Sequence, residues 1–219
     1  MKIIKFLTIL GLLLCMGCDT EELIVIHGCT DSSAGNYNPE ATDDDGNCYY
    51  GPVLFINEFM ASNDTFIEDP DDDGTDPFDD WIEIYNPNDD DIDLAGMFLA
   101  DGHLTGHMIS YDNTTKTTIP AGGYLVFWFD DEPDEGILHI PEKLGGDGDG
   151  IYLYDVDSTT IIDSHEYSQQ YGDVSMARPI MTDPEAFFFG DNRDNWVLTM
   201  TPTPGAENVI DSPVFGCTD

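Results

Sequence analysis

The sequence predicts an all-β sandwich of about eight strands, on three observations. Short apolar runs recur at intervals of 8 to 20 residues, each bounded by Asp, Asn, Gly or Pro. No window of eleven or more residues keeps a helical period. Of the 45 acids, 33 are Asp, a poor helix former and a good turn residue.

Strands are expected at Val53–Met60, Trp81–Tyr85, Ile92–Leu99, Tyr124–Phe129, Ile151–Tyr154, Thr160–Tyr167 and Trp196–Thr199. In Trp81-Ile82-Glu83-Ile84-Tyr85 the two isoleucines share one face, as a half-buried sandwich strand requires. Asn86-Pro87-Asn88-Asp89 forms a turn, because Pro fixes φ and Asn and Asp accept bonds from nearby amides. Pro120-Ala121-Gly122-Gly123 makes another turn before the most hydrophobic strand. Trp81, Trp128 and Trp196 are expected in the core or half in it, and Arg178 is expected to pair with a carboxylate as a structural residue.

Six bases against 45 acids leave a formal net charge of −39. Non-specific nucleic-acid binding rests on Lys and Arg displacing counterions, so a surface this anionic excludes DNA and RNA as partners. Divalent cations are the partners it favours. At 41% apolar residues, the chain is too hydrophobic for a wholly disordered acidic polymer.

Residues 1–17 read as a signal peptide: Lys2 and Lys5, an apolar run from Phe6 to Leu14, then Gly17 before Cys18. The run is too short to span a bilayer. Leu14-Cys15-Met16-Gly17-Cys18 resembles the lipobox of bacterial lipoproteins, although Cys15 stands where that pattern usually has Leu. The resemblance implies cleavage, lipidation of Cys18, a tether over 18–27, and attachment to the outer membrane or cell surface. The acidic Asp19-Thr20-Glu21-Glu22 is similar to the tract that marks surface-exported lipoproteins.

Residues 28–50 have no apolar periodicity and need a staple, which a Cys29–Cys48 disulfide supplies in an oxidising compartment. Gly28-Cys29-Thr30-Asp31 through Asn36-Tyr37-Asn38-Pro39 to Asp43-Asp44-Asp45-Gly46 and Cys48 resembles a short repeat found beside adhesion and sorting regions of large secreted bacterial proteins. Gly216-Cys217-Thr218-Asp219, within a linker segment at 211–219, repeats its opening and predicts a second copy that runs on in a longer protein. Asp43 and Asp45 around Gly46 are a candidate calcium turn, with a solvated turn as the alternative.

Over 52–210 the residues carry a wider resemblance. Ile56-Asn57-Glu58-Phe59-Met60-Ala61-Ser62-Asn63, Trp81 to Pro87, Asp93-Leu94-Ala95-Gly96 and Ile119 to Tyr124 are followed by Gly150 to Asp155, Ile162-Asp163, Ser175, Arg178-Pro179, Trp196 and Thr201-Pro202-Thr203-Pro204-Gly205-Ala206. Together they resemble a bacterial lamin-tail domain. The resemblance implies an immunoglobulin-like antiparallel sandwich, used as a non-catalytic module of secreted or surface proteins.

The sharpest local signal for chemistry is Asp69-Pro70-Asp71-Asp72-Asp73-Gly74, continued to Asp80. EF-hand loops place oxygens at positions 1, 3, 5, 7 and 12 with Gly at 6, which here selects Asp69, Asp71, Asp73, the Thr75 carbonyl and Asp80 as calcium ligands. Asp76 and Asp79 are accessory candidates. Asp at position 12 is shorter than the usual Glu, and no helix flanks the loop, so a solvated acidic loop is the alternative.

Gly145 to Gly150 reads as a tight hairpin rather than a calcium nonapeptide. His103 and His107 would diverge in a β-rich stretch and make a poor zinc pair. No Gly-x-Ser-x-Gly, His-Glu-x-x-His or phosphate loop occurs. The expected function is therefore a surface-anchored, calcium-stabilised adhesion, scaffold or ligand-contact module, facing an extracellular protein or glycan. The alternatives are a divalent-metal-dependent hydrolase, or the N-terminal accessory part of a longer secreted enzyme.

Overall fold

Among the described residues fourteen short stretches become strands, and the pairing of those strands decides which acids meet. The computed structural model describes residues 25–35, 37–71, 77–102, 106–179 and 196–210. The leader, Cys18, Asp73, Thr75, Asp76, His103 and Cys217 lie outside the described residues.

The strands are β1 His27–Gly28, β2 Asp43–Asp44, β3 Phe55–Met60, β4 Asp80–Tyr85, β5 Ile92–Asp93, β6 Phe98–Asp101 and β7 His107–Met108. After a single helical turn, α1 Thr114–Thr117, come β8 Thr118–Ile119, β9 Tyr124–Phe129, β10 His139–Ile140, β11 Gly148–Tyr154, β12 Ile161–Ser168, β13 Ser175–Ala177 and β14 Val197–Thr199. One sheet has the order β10-β9-β4-β3-β13-β14 and faces a second of order β12-β11-β6-β7; β5 pairs with β8 at the side. The fold is the expected immunoglobulin-like sandwich, and among its described strands two pairs depart from antiparallel pairing: β1 with β2 and β10 with β9 run parallel.

Alternation on the strands sorts side chains between the sheets and outside them. Ile56, Phe59, Ile82, Ile84, Phe127, Phe129, Leu99, Ile151, Leu153 and Ile162 fill the space between the sheets. Each large apolar side chain buried there contributes about 1.5–3 kcal/mol. Phe59 of β3 meets Tyr167 of β12 with ring centroids 4.7 Å apart, which locks one sheet on the other. On the outer face of the larger sheet, Met60, Trp81 and Trp128 stand in register and form a second, separate apolar cluster.

The run read as one strand, Ile92–Leu99, is two. The chain turns between them at Gly96, whose φ of +88 is left-handed and where a Cβ would lie 1.8 Å from the Tyr111 hydroxyl. Only glycine fits both demands.

A register shift in β3 between Ile56 and Glu58 leaves Asn57 bulged. Without it strict alternation would put Glu58 on the inner face with Ile56; with it Glu58 lies beside Glu83 on the outer face. Residues 201–208 run over that pair. The Thr203 amide donates to Glu58 Oε2 at 3.0 Å, and the Gly205 amide donates to Glu83. Burial pushes both carboxyls up, that of Glu83 to about 8.

The small N-terminal module carries the Cys29–Cys48 disulfide. It does not stand apart. Tyr49 joins the core of the sandwich, and the Gly35 amide donates to its carbonyl at 2.7 Å, so the module is stapled at one end and packed at the other.

Candidate metal centre

Two segments far apart in the chain bring acids to one imidazole. The first is the loop after β3. Asn63 organises it: its side-chain amide donates to the carbonyls of Ile67 (2.7 Å) and Asp79 (2.9 Å), and its oxygen accepts from the Phe66 amide at 3.1 Å. Ile67 then packs on the Met60/Trp81/Trp128 cluster. The Asp69 amide donates to the Pro77 carbonyl at 2.8 Å, closing the neck of the loop, and Asp69 Oδ1 accepts from the Asp71 amide at 2.9 Å. What remains of Asp69, its Oδ2, faces His139.

The second segment joins β9 to β10. Parallel neighbours usually need a crossover of a dozen or more residues. Here residues 130–138 suffice, because the chain doubles back through several turns in succession. Asp130 Oδ1 accepts from the Glu132 amide at 2.7 Å, Asp131 takes a left-handed φ of 67, and the Glu135 amide donates to the Glu132 carbonyl at 3.0 Å. Gly136 lies under the imidazole: a Cβ there would meet His139 Cδ2 at 3.2 Å. His139 pairs with Trp128 and so shares its outer face, while Ile140 beside Phe129 points into the core.

Around His139 Nδ1 stand Asp130 Oδ2 at 2.6 Å, Asp69 Oδ2 at 3.3 Å and Glu135 Oε2 at 4.0 Å. One donor atom from each of these four residues lies within 4.8 Å of every other. The centre is shielded from water, with Asp69 4%, Asp130 1% and His139 2% exposed. On the far side of the ring, Nε2 faces Asp71 Oδ2 at 3.9 Å, and Lys116 Nζ is 3.6 Å from that same oxygen. Burial raises the Asp69 carboxyl above its usual range. Burial alone would lower the imidazole; its bond to Asp130 and the charges of Asp69, Asp130 and Glu135 outweigh that and raise it. Three carboxylates around one imidazole make a donor set suited to a proton or a cation.

Of the residues selected by the EF-hand spacing, the three that are described have different neighbours. Asp69 and Asp71 lie at this centre. Asp80 opens β4 in other company: burial pushes its carboxyl up to about 6, against amide bonds from Asn63 and Leu144 and the charge of Lys143. Asp73 and Thr75 lie outside the described residues. In the N-terminal module Asp43 Oδ2 meets His27 Nδ1 at 3.0 Å, whereas Asp45 Oδ1 accepts from the Asn47 amide at 2.9 Å, so each has its own neighbour.

Asp130, Glu135 and His139 carry no sequence signal as a set, since their spacing matches no metal motif. The one available hint is His139 between Leu138 and Ile140, a polar residue alternating with apolar ones at a sheet edge.

A family model described as Lamin Tail Domain matches residues 51–169. The chain belongs to the lamin tail domain family. No curated protein matches it. The matched span contains Asp69, Asp130, Glu135 and His139, so the centre is built within the lamin tail domain itself. Beyond the match, β13 pairs with β3 and β14 with β13, so Ser175–Ala177 and Val197–Thr199 extend the larger sheet of the lamin tail domain. The family is an immunoglobulin-like, non-catalytic domain.

Proposed function

We propose that this lamin tail domain is the rigid, non-catalytic contact or scaffold module of a protein tethered outside the cytoplasmic membrane through a lipid on Cys18. The observation that carries the reading is how its buried ionisable groups are employed. Glu58 and Glu83 hold the 201–208 segment, and Asp163 and Arg178 hold the two sheets together. Groups bound in this way are committed to rigidity, and a rigid sandwich with an acidic surface suits display. The leader, the Cys18 lipobox and the stapled module before the sandwich point to a surface location.

A divalent-metal hydrolase would need its ion open to substrate. Asp69, Asp130 and His139 are buried, which favours holding over turnover.

The test is to pass the mature chain over arrays of glycans and extracellular proteins, and to assay it on glycan and phosphodiester substrates with added divalent ions. Saturable binding without turnover supports the reading, and metal-dependent turnover overturns it. Mass spectrometry of the mature N-terminus checks the tether: an acylated Cys18 supports it, and an intact Met1 refutes it.

A further inference from the structure

We propose that Asp69, Asp130, Glu135 and His139 form a structural site for a divalent first-row transition-metal ion, with His139 Nδ1 and one oxygen of each carboxylate as ligands. Unlike the calcium loop expected at Asp69–Asp80, it draws on two loops and contains a nitrogen donor.

Proximity of acids alone would not carry this. Asp69 Oδ2 is buried and makes no hydrogen bond, yet it is aimed into the cluster, 3.3 Å from His139 Nδ1. A buried carboxylate oxygen without a hydrogen bond is costly to keep charged, and the one imidazole beside it is shared with Asp130 and Glu135. His139 Nε2 is also buried without a hydrogen bond. Ligating histidines regularly aim their second nitrogen at a carboxylate, and Nε2 here faces Asp71 Oδ2 at 3.9 Å. A ring drawn toward the ligand oxygens on one side and an outer acid on the other is the arrangement that fixes a metal-bound imidazole.

Charge points the same way. Three carboxylates meet one imidazole, and a divalent ion ligated by the neutral ring offsets two of their three negative charges in a largely buried site. Donor chemistry narrows the ion. Calcium takes six to eight oxygens, whereas an imidazole among carboxylates suits zinc, manganese or iron(II). Ligands about 2.0–2.2 Å from one ion lie roughly 3.3 Å apart when tetrahedral. The Nδ1 to Asp69 distance of 3.3 Å already fits; the 2.6 Å contact with Asp130 must open and the 4.0 Å approach of Glu135 must close. The ion takes the place of the proton shared between Nδ1 and Asp130, which is released to solvent on binding.

Such an ion would pin the loop that crosses Trp81 and Trp128 to the two-residue strand β10 at the edge of the sheet. Its binding is read on the purified chain, so it stands or falls separately from the contact-module reading.

The experiment strips the mature chain with chelator and titrates it calorimetrically with Zn2+, Mn2+ and Ca2+ in separate runs. One equivalent of Zn2+ or Mn2+ should bind and raise Tm, with millimolar Ca2+ giving a smaller shift. His139→Ala and Asp69→Asn should abolish that binding, and Asp71→Ala should weaken it about tenfold or more. Because His139→Ala could unfold the edge strand, long-range 15N spectra of the wild-type imidazole supply a second readout: Zn2+ should move the His139 Nδ1 resonance. Calcium binding as tight as zinc, an unmoved Nδ1, or transition-metal binding that survives in folded Asp69→Asn and His139→Ala chains would overturn the proposal.

Discussion

Arg178 Nη2 donates to Asp163 Oδ2 at 2.8 Å, and that one oxygen also accepts from the Ile56 amide at 2.9 Å. Both partners are only 3% exposed. The pair therefore joins β12 in one sheet to β3 and the end of β13 in the other. Arg178 is held further by its Nε bond to the Ile56 carbonyl at 2.7 Å and by the Trp196 ring, 4.6 Å from its guanidinium carbon.

Removing one member strands the other charge in the interior. Arg178→Met should cost about 3–5 kcal/mol, and Arg178→Met combined with Asp163→Leu should recover a large part of that. Urea unfolding of the two variants against the parent checks it. A double variant no better than the single one would show that the arginine acts mainly through packing on Trp196.

Stability should depend on pH with an unusual sign. Glu83 ordinarily titrates at 4.5 and is raised to about 8 in the fold by burial, so between these values the native state holds a proton that the unfolded chain has lost. Its contribution is therefore greatest at low pH and declines as pH rises through that window, and Glu58 shifts in the same direction. His165 acts oppositely: burial, helped by Arg178, lowers it from 6.5 to about 4, so stability falls as pH drops through that range. The melting temperature should rise as pH falls from 8 towards 6.5, then level or decline. Glu83→Gln should flatten the upper limb, and His165→Phe the lower.

Asn208 fastens the 201–208 segment. Its oxygen accepts from Asn57 Nδ2 at 3.0 Å, and its amide donates to the carbonyls of Asn57 (3.1 Å) and Arg178 (2.8 Å). Asn208→Ala leaves these buried groups unmet and should cost about 1–3 kcal/mol. Faster hydrogen exchange at the Thr203 and Gly205 amides, with little change in β11 and β12, is the expected signature.

Reduction of Cys29–Cys48 releases a link between residues 19 apart, worth roughly 3 kcal/mol. Tyr49 lies outside that loop and in the sandwich core, so Cys29→Ser with Cys48→Ser should open the Cys29–Cys48 loop to proteolysis and leave the paired strands β3, β4, β9, β11 and β12 resistant.

The strands were legible where one face is apolar and the pairing partner does not matter. Ile82 and Ile84 marked β4, and the continuous Tyr124–Phe129 run matched β9 residue for residue. Arg178 was legible as a structural cation because few bases exist among so many acids, although nothing local named Asp163 as its partner. The Asn57 bulge was not read from the sequence: Ile56-Asn57-Glu58-Phe59 sets two polar residues between apolar ones, a break in alternation that does not say which residue is the extra one. Strand β13 was hidden too: Ser175–Ala177 is short, and it exists because β3 offers an edge to pair with.

The metal-ligand question divides at Asp69. Local spacing picked out Asp69 and Asp71 because an acidic run with a Gly turn is a property of neighbouring residues. It also selected Asp80, which strand β4 carries away to the amides of Asn63 and Leu144. The imidazole that meets Asp69 comes from His139, at the far end of a loop whose parallel return to β9 no local pattern encodes. The sequence by itself determined the all-β class, the acidic surface, the cysteine staple and the family, because composition and periodicity are short-range properties. The tertiary structure alone decided which carboxylates share a buried centre, because side chains remote in the chain meet only after loop closure and strand register set their faces.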